Sequence, residues 1–452
     1  MSYQYDLVVV GGGPGGLEAA QQTAAAGKRV LIVEKTGWGG TCTHRGCIPT
    51  KALLTCSKYY ADLKKLKRLG IDIPSAAVDF TAMKKHQQQM VRVAALGARK
   101  SLVDAGVETK IGTGEILSPH EIKFTDQAGG AQIISTGSIV IAWGSKPQLL
   151  PGVELSKRIV TSDGIFNLTA LPESLAIVGG SFIGVELATF FAELGVKVTL
   201  IELMDNILPL EDEEAAVFLR QELNRAGVAV HNSARLTCLK ETDSGVAVQV
   251  QSNSGRMEWN TDYALLCTGR MPVLNEAELI NTGIAYDQTG IKVDKNMMTN
   301  VPGIYAVGDV TGGMMLAHRA ARQGRVAAAC ICGNDPPPYN ENFIPSVVYS
   351  HPPLARVGMT AAQAEARGLN IEIVKSSYGA NVIARSELAG QGFVKALFCD
   401  DKLAGVTIVG SHASELIASM SLALANGLSR KQLQTWVIPH PTLSEIFSPL
   451  FQ

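Results

Sequence analysis

The sequence predicts a layered α/β fold followed by an α+β region at the C-terminal end. The main observation is a repeat, in which YDLVVVGGGPGG leads into a helical run and the strand VLIVE, and LAIVGGSFIG leads into a second helical run and the strand VTLIE. Each half has the order strand, glycine turn, helix, strand and acidic residue, which is typical of a nucleotide-binding α/β unit. Each is followed by a similar return segment, IVIAWGSKP and then ALLCTGRMP. The repeat therefore predicts two such units in one chain.

Length and composition indicate a globular protein of several domains. A chain of 452 residues is too long for one hydrophobic core, and its length predicts about three domains. The net charge of −1 gives no indication of nucleic acid or an anionic membrane as a partner. The first residues carry no basic leader with a cleavage site, and no apolar run is long enough to span a membrane. We therefore expect a cytoplasmic protein whose eight cysteines are not structural bridges.

The first glycine turn has the pattern of a dinucleotide site. Gly11, Gly13 and Gly16 fit G-x-G-x-x-G, in which the glycines permit a tight turn, a close phosphate and close packing of helix on strand. The helix N-terminus that follows offers N–H groups to a pyrophosphate. Glu34 ends the next strand, where an acid is expected to accept the ribose hydroxyls.

The second glycine turn consists of Gly179, Gly180 and Gly184, with Ser181 where the middle glycine is usual. The serine leaves a small hydroxymethyl group near the phosphates, which weakens the match without abolishing it. Glu202 ends the second strand of this unit, and a carboxylate there binds a free 2′-hydroxyl and repels a 2′-phosphate. The second site therefore favours NAD over NADP.

Cys42 and Cys47 lie five positions apart in GGTCTHRGCIPTKALL, and Cys47 begins a predicted helix. A metal site, two unrelated buried cysteines and a redox disulfide are all compatible with this spacing. A metal site lacks a second pair of ligands, so we predict no bound metal. The helix N-terminus and nearby Lys51 both favour a thiolate, which supports a redox disulfide.

Together these segments resemble the class I pyridine nucleotide-disulfide oxidoreductases. The resemblance rests on GGTC-x4-GCIPTK after the first glycine motif, on Gly308–Asp309 in GIYAVGDV, and on the terminal HPTLSE, and it spans nearly the whole chain. It implies two Rossmann-like dinucleotide-binding domains, with the NAD domain inserted in the FAD domain, and a C-terminal α+β dimerisation domain. The implied ranges are 1–150 for the FAD-binding domain with the redox disulfide, 151–272 for the NAD-binding domain, 273–338 for a central segment returning to FAD, and 339–452 for the dimerisation domain.

The resemblance also implies roles for the residues around the disulfide. Cys42 would exchange with the substrate sulfur, and Cys47 would lie against the flavin. Lys51 would sit near the flavin and pair with Glu186. The further residues implied to bind FAD are Gly11, Gly13, Gly16, Glu34, Gly40, Thr41, Lys51, Gly144, Asp309 and Ala317, and those implied to bind NAD are Gly179, Gly180, Gly184, Glu202 and Gly269.

His440 and Glu445 form a candidate acid–base pair near the C-terminus. A dithiol must lose protons before it attacks a disulfide, and histidine is suited to that transfer near neutral pH. A structural histidine is the alternative, and the family resemblance favours catalysis. It further implies a homodimer in which His440 of one subunit faces Cys42 and Cys47 of the other.

Within the family, HPTLSE, Glu202 and the overall layout look most like the dihydrolipoyl dehydrogenases, which oxidise protein-bound dihydrolipoamide with NAD through the disulfide and FAD. The expected partner is a separate lipoyl-bearing carrier of a 2-oxo acid dehydrogenase or glycine cleavage type complex. The alternatives are an NAD(P)H-dependent reductase of glutathione, mercuric ion or another small disulfide, a flavoprotein transhydrogenase, and a non-catalytic flavoprotein.

The sequence departs from the usual family pattern in two places. Thr43, His44 and Arg45 replace the usual Leu-Asn-x between the cysteines, and either both basic side chains face solvent or they alter the thiol pKa and favour an anionic substrate. Our hypothesis is that Arg45 tilts the preference toward charged disulfides. Trp143 replaces a threonine close to the expected FAD adenosine, and its role is open.

Overall fold

The computed structural model describes residues 3–452. The chain divides into two compact units, each assembled from three separate segments. The first unit consists of Met1–Pro49, Lys85–Gln148 and Arg270–Glu341, and the second of Thr50–Lys84, Leu149–Gly269 and Asn342–Gln452. Among residues 3–452, no helix is both long and apolar enough to cross a membrane.

The helices alternate with the strands through most of the chain. They are α1 Pro14–Ala25, α2 Gly40–Arg45, α3 Cys47–Leu66, α4 Phe80–Asp104, α5 Phe182–Glu193, α6 Glu213–Arg225, α7 Glu276–Thr282, α8 Ala317–Ile331, α9 Ala361–Ala366, α10 Val382–Ser386, α11 Ala413–Ala425, α12 Arg430–Leu433 and α13 Ser448–Phe451.

The strands are β1 Tyr5–Val10, β2 Val30–Glu34, β3 Glu108–Ser118, β4 Glu121–Asp126, β5 Ala131–Ile141, β6 Ser145–Pro147, β7 Ile159–Thr161, β8 Ser174–Val178, β9 Lys197–Ile201, β10 Ala229–His231, β11 Arg235–Thr242, β12 Gly245–Ser252, β13 Gly255–Thr261, β14 Tyr263–Leu266, β15 Arg270–Pro272, β16 Tyr286–Asp287, β17 Gly290–Ile291, β18 Ile304–Ala306, β19 Ser346–Val348, β20 Leu354–Gly358, β21 Glu372–Ser377, β22 Phe393–Cys399 and β23 Lys402–Val409.

The first unit is built on a parallel sheet. Strands β3, β2, β1, β5 and β18 are neighbours in that order and run parallel. The long strands β3 and β5 then continue beyond the sheet and pair antiparallel with β4. The central strands β1 and β2 are almost wholly apolar, as strands covered on both faces must be. This sheet carries the first glycine turn at the end of β1.

The second unit contains three sheets. Strands β10, β9, β8, β14 and β7 form a parallel sheet, and β11, β12 and β13 form a small antiparallel one. Strands β19, β20, β23, β22 and β21 form an antiparallel sheet against which α11 packs. The predicted α/β fold with an α+β region at the C-terminal end is confirmed.

A buried ion pair joins α6 to β22 within the second unit. The Lys395 ammonium lies 2.6 Å from Asp212 Oδ1 and 2.9 Å from Glu214 Oε2, and the Lys395 and Asp212 side chains are 7% and 3% exposed. Burial alone would lower the pKa of Lys395, but the hydrogen bonds to the two carboxylates outweigh it and raise that pKa. The contribution of the ammonium is present at neutral pH and is lost as the pH rises through this raised pKa, whereas the contribution of Glu214, whose pKa burial alone would raise but Lys375 and Lys395 lower, is lost as the pH falls through that lowered pKa.

We expect Lys395→Met to lower the free energy of unfolding by about 3 kcal/mol, because it leaves a buried carboxylate without its cation. The matched control is Lys375→Met, since Lys375 also binds Glu214 but is 48% exposed. That variant should lose less than about 1 kcal/mol. Urea unfolding of both variants beside the wild type measures the difference, and equal losses would contradict this account of the pair.

Candidate active site

The first glycine turn connects β1 to α1 and has no room for side chains. A Cβ on Gly11, whose φ is +116°, would lie 2.2 Å from the Ala142 carbonyl oxygen. A Cβ on Gly16 would lie 2.0 Å from the Gly11 carbonyl oxygen. Gly13 is the N-cap of α1 and differs, since no described atom lies within 4 Å of its Cβ position. The turn therefore presents open space at the helix N-terminus.

The second glycine turn repeats this geometry between β8 and α5. A Cβ on Gly179, at φ +106°, would lie 2.2 Å from the Cys267 carbonyl oxygen, and one on Gly184 would lie 1.9 Å from the Gly179 carbonyl oxygen. Ser181 is the N-cap of α5, is exposed, and makes no side-chain cap bond. The serine thus fits the turn, with its hydroxyl outside it.

At each glycine turn, a glutamate at the end of the following strand accepts a backbone N–H of the turn. Glu34 Oε2 accepts the Gly12 N–H at 2.6 Å, and Glu202 Oε2 accepts the Gly180 N–H at 2.6 Å. Glu34 Oε1 also accepts the N–H and hydroxyl of Thr36 and the Gly37 N–H, so three donors share Oε1 while Oε2 holds only the Gly12 N–H. Among the described residues Glu202 accepts only one further bond, from its Met204 neighbour, and so keeps capacity for other donors.

The other predicted residues of the first unit lie at the starts of α2 and α8 and in the loop after β5. Gly40, with φ +58°, brings α2 close to the first turn, since its Cβ would lie 2.9 Å from Gly13 Cα. Thr41 follows it in α2, and Gly144, at φ +74°, follows β5. Ala317 is the first residue of α8. In the second unit, Gly269 is exposed at φ +104° after β14.

Asp309 is held by side chains that the sequence analysis missed. Its Oδ2 accepts the Ser145 hydroxyl at 2.6 Å, and Ser145 Oγ in turn accepts the Arg270 Nε–H at 2.8 Å. The buried Gln323 accepts the Gly308 N–H at 2.8 Å and so fixes the preceding residue. Trp143 is partly buried and packs against the hydrophobic cluster on the sheet face opposite that of Ala142.

The two cysteines belong to the first unit and lie on consecutive helices. Cys42 lies within the six-residue helix α2, and Cys47 is the first residue of α3, as predicted. Both are half-buried. Lys51 comes one turn after Cys47 in α3. Cys47 therefore has the helix N-terminal position that stabilises a thiolate.

The two basic residues between the cysteines differ in environment. His44 is half-buried and donates its Nε2–H to the Trp38 carbonyl at 3.1 Å, while Arg45 is exposed. Thr43 is buried against Gly39, whose φ is +95°. The expectation that both basic side chains face solvent is thus wrong for His44, because its ring fits against the glycine loop.

In the second unit Lys51 and Glu186 form the predicted ion pair. The Lys51 ammonium lies 2.7 Å from Glu186 Oε2, with side chains 33% and 7% exposed. Glu186 Oε1 also accepts the Tyr349 N–H at 3.0 Å. The Tyr349 ring lies 4.4 Å from the ammonium, a cation–π distance. Tyr349 was not predicted, because nothing in the sequence connects it to Lys51.

His440 and Glu445 also form the predicted pair. His440 Nδ1 lies 2.9 Å from Glu445 Oε1, and Glu445 Oε2 accepts the Thr442 N–H at 2.9 Å. The bond from His440, helped by the Thr442 N–H, holds the pKa of Glu445 below its usual value. Since a carboxylate only accepts, His440 donates from Nδ1 and leaves Nε2 as the acceptor.

Two families of known protein domains match almost the whole chain. The family described as pyridine nucleotide-disulphide oxidoreductase matches residues 5–324, and its dimerisation domain matches residues 344–450. The chain belongs to the pyridine nucleotide-disulphide oxidoreductase family. This confirms the predicted family, and the predicted cofactors, FAD and NAD, are those the family uses.

Similar proteins span the whole chain. The dihydrolipoyl dehydrogenase of Chlamydia pneumoniae is 35% identical over 451 residues, covering 99% of this chain and 96% of the relative. One from Bacillus subtilis is 35% identical over 445 residues, covering 98% and 94%. Among solved structures, LpdA from Mycobacterium tuberculosis has a TM-score of 0.92 at 27% identity, covering 98% of each chain. The HOCl-induced flavoprotein disulfide reductase RclA from Escherichia coli has a TM-score of 0.86 at 28% identity, covering 99% of each.

Proposed function

We propose that the chain is an NAD-dependent dihydrolipoyl dehydrogenase that oxidises a dihydrolipoyl group carried by another protein. The observation that carries the proposal is the His440–Glu445 pair, in which a carboxylate orients a 76% exposed imidazole with Nε2 as the acceptor. A dithiol substrate has to be deprotonated before it attacks, and this pair supplies the base. The full-length dihydrolipoyl dehydrogenase relatives support the same substrate.

The thiol chemistry follows from these residues. His440 Nε2 accepts a proton from one substrate thiol, and the thiolate attacks Cys42 Sγ, which breaks the Cys42–Cys47 bond and releases Cys47 as a thiolate. The second substrate thiol then attacks the substrate sulfur bound to Cys42, closes the lipoyl disulfide and passes its proton to the Cys42 sulfur that is released. The α3 N-terminus and Lys51 stabilise the Cys47 thiolate. FAD, when bound, carries the two electrons from the dithiol to NAD.

The proposed active site requires a homodimer. The matched dimerisation domain and the exposure of His440 support an arrangement in which His440 of one protomer serves the cysteines of the other. The Glu445 carboxylate then keeps the imidazole in the tautomer that accepts a proton at Nε2.

The geometry of the two turns fits two dinucleotides. In the proposal, the open N-terminus of α1 at Gly13 receives the FAD pyrophosphate, and Asp309 with its Ser145 donor holds another part of FAD. The N-terminus of α5 receives the NAD pyrophosphate. Glu202 has lone pairs left for ribose hydroxyls, and residues 203–210 contain no lysine or arginine to pair a 2′-phosphate, which supports NAD over NADP.

The two glutamates provide a matched test of this assignment. We expect Glu34→Gln to weaken FAD binding about tenfold, because the amide cannot accept all the N–H groups that the carboxylate holds. Glu202→Gln should leave the flavin content unchanged and raise the KM for NADH about tenfold. Flavin absorbance of the purified variants and NADH titration measure both effects. If Glu202→Gln lowered the flavin content and Glu34→Gln raised the KM for NADH, the FAD and NAD sites would have to be exchanged.

The acid–base pair is tested by Glu445→Gln. We expect kcat for dihydrolipoamide to fall about 100-fold. The amide no longer fixes which ring nitrogen of His440 carries the hydrogen, because it can donate as well as accept. Glu415→Gln, an exposed change in α11 of the same unit, is the control. An unchanged kcat would remove the pair from the mechanism.

Steady-state turnover of dihydrolipoamide, glutathione disulfide and other small disulfides, each with NAD(H) and NADP(H), identifies the substrate. We expect NAD-linked dihydrolipoamide oxidation to dominate, and Cys42→Ser or Cys47→Ser to abolish it, since either change removes the disulfide. Because RclA is a structural neighbour, a disulfide reductase without lipoyl activity is the competing function. Dominant NADP-linked reduction of a non-lipoyl disulfide would establish that function instead.

A further inference from the structure

Helix α5 has a second buried carboxylate on the face that binds Lys51. Glu186 and Glu193 are seven residues apart, which is two helical turns or about 10 Å along the axis. Their side chains are 7% and 10% exposed. Buried carboxylates have to be hydrogen-bonded, so the donors around each of them show what the helix holds in place.

Both carboxylates bridge the same two elements, α3 and the segment 349–351. Glu186 binds the Lys51 ammonium from α3 and the Tyr349 N–H from the segment. Glu193 repeats this two turns later, with the Ser57 hydroxyl of α3 at 2.6 Å and His351 Nδ1 at 2.7 Å. All of these residues belong to the second unit. Helix α3 and the segment are therefore each attached to α5 at two points.

The position of the segment affects Lys51 in two ways, through its partner Glu186 and through the Tyr349 ring. The Tyr349 N–H binds Glu186, and the Tyr349 ring lies 4.4 Å from the Lys51 ammonium. His351 is only two residues further along the chain. Its bond to Glu193 therefore limits how far the Tyr349 ring and N–H can move, and Ser57 limits the rotation of α3 in the same way.

We propose that His351 is a positioning residue for Lys51, acting through Glu193 and through the placement of Tyr349. The inference rests on the proposed function only for the importance of Lys51, which there stabilises the thiolate. Without the His351 bond, Glu193 loses one of its two donors, and the segment keeps the Tyr349 hydrogen bond to Glu186 but loses its second hydrogen bond to α5. The Lys51 ammonium then spends more time away from Glu186.

The test measures the accessibility of Lys51 without any substrate. The full-length purified chain is treated briefly with trace acetic anhydride, and mass spectrometry gives the acetylation rate of Lys51 relative to Lys64, an exposed lysine on the same helix. Glu186→Gln, which removes the ion pair, shows the rate of a released Lys51. Thermal unfolding of each variant records general destabilisation separately.

We expect His351→Leu to raise the relative rate about threefold, the low end of what one hydrogen bond contributes. His351→Asn should stay near the wild-type rate, because its amide nitrogen takes the place of Nδ1 and donates to Glu193. Ser57→Ala should raise the rate as His351→Leu does, and it serves as the second variant if the leucine protein does not fold. The control His412→Asn, in an exposed His–Glu pair of the same unit, should change nothing.

A wild-type rate in both His351→Leu and Ser57→Ala, with a raised rate in Glu186→Gln, would overturn the proposal. An asparagine variant as fast as the leucine variant would also overturn it, because the hydrogen bond would then not be the cause. Neither result depends on turnover. If the wild-type chain fails to oxidise dihydrolipoamide, the proposed function fails while the labelling result stands.

Discussion

The structure depends on one hydrogen bond made twice, from the N–H of the second glycine of each turn to a glutamate at the end of the next parallel strand. Gly12 binds Glu34 and Gly180 binds Glu202, each at 2.6 Å across 22 residues. Both glutamates are 7% exposed, so each needs its donors and each turn needs its acceptor. The bond fixes the turn, and the turn directs the helix N-terminus toward the space where a phosphate is bound.

Helix α5 connects the second glycine turn to helix α3. It begins beside Ser181 in the turn and presents Glu186 one turn later to Lys51 of α3. Helix α3 itself begins at Cys47. A shift of α5 would therefore disturb both the N-terminus at the second turn and the Lys51 ammonium.

The sequence was sufficient where chemistry is encoded within one segment. The glycine turns, Glu34, Glu202 and the start of α3 at Cys47 all have fixed local spacing, and the structure places them at the turns, strand ends and helix start that the spacing indicates. The nucleotides that they bind stay a prediction. Contacts between segments that are distant along the chain could not be predicted from the sequence. Ser145 and Asp309 are 164 residues apart, and Tyr349 and Glu186 are 163 apart, so no periodicity connects them. The Lys51–Glu186 pair was predicted from the family resemblance and not from spacing.

The sequence also could not distinguish the environments of the two basic residues between the cysteines. His44 and Arg45 are adjacent and both basic, and a helix directs adjacent side chains about 100° apart. His44 therefore turns toward the glycine loop and bonds to Trp38, while Arg45 is exposed. The ring of His44 thus joins α2 to that loop. Of the two, only Arg45 has the exposure needed to meet a charged substrate.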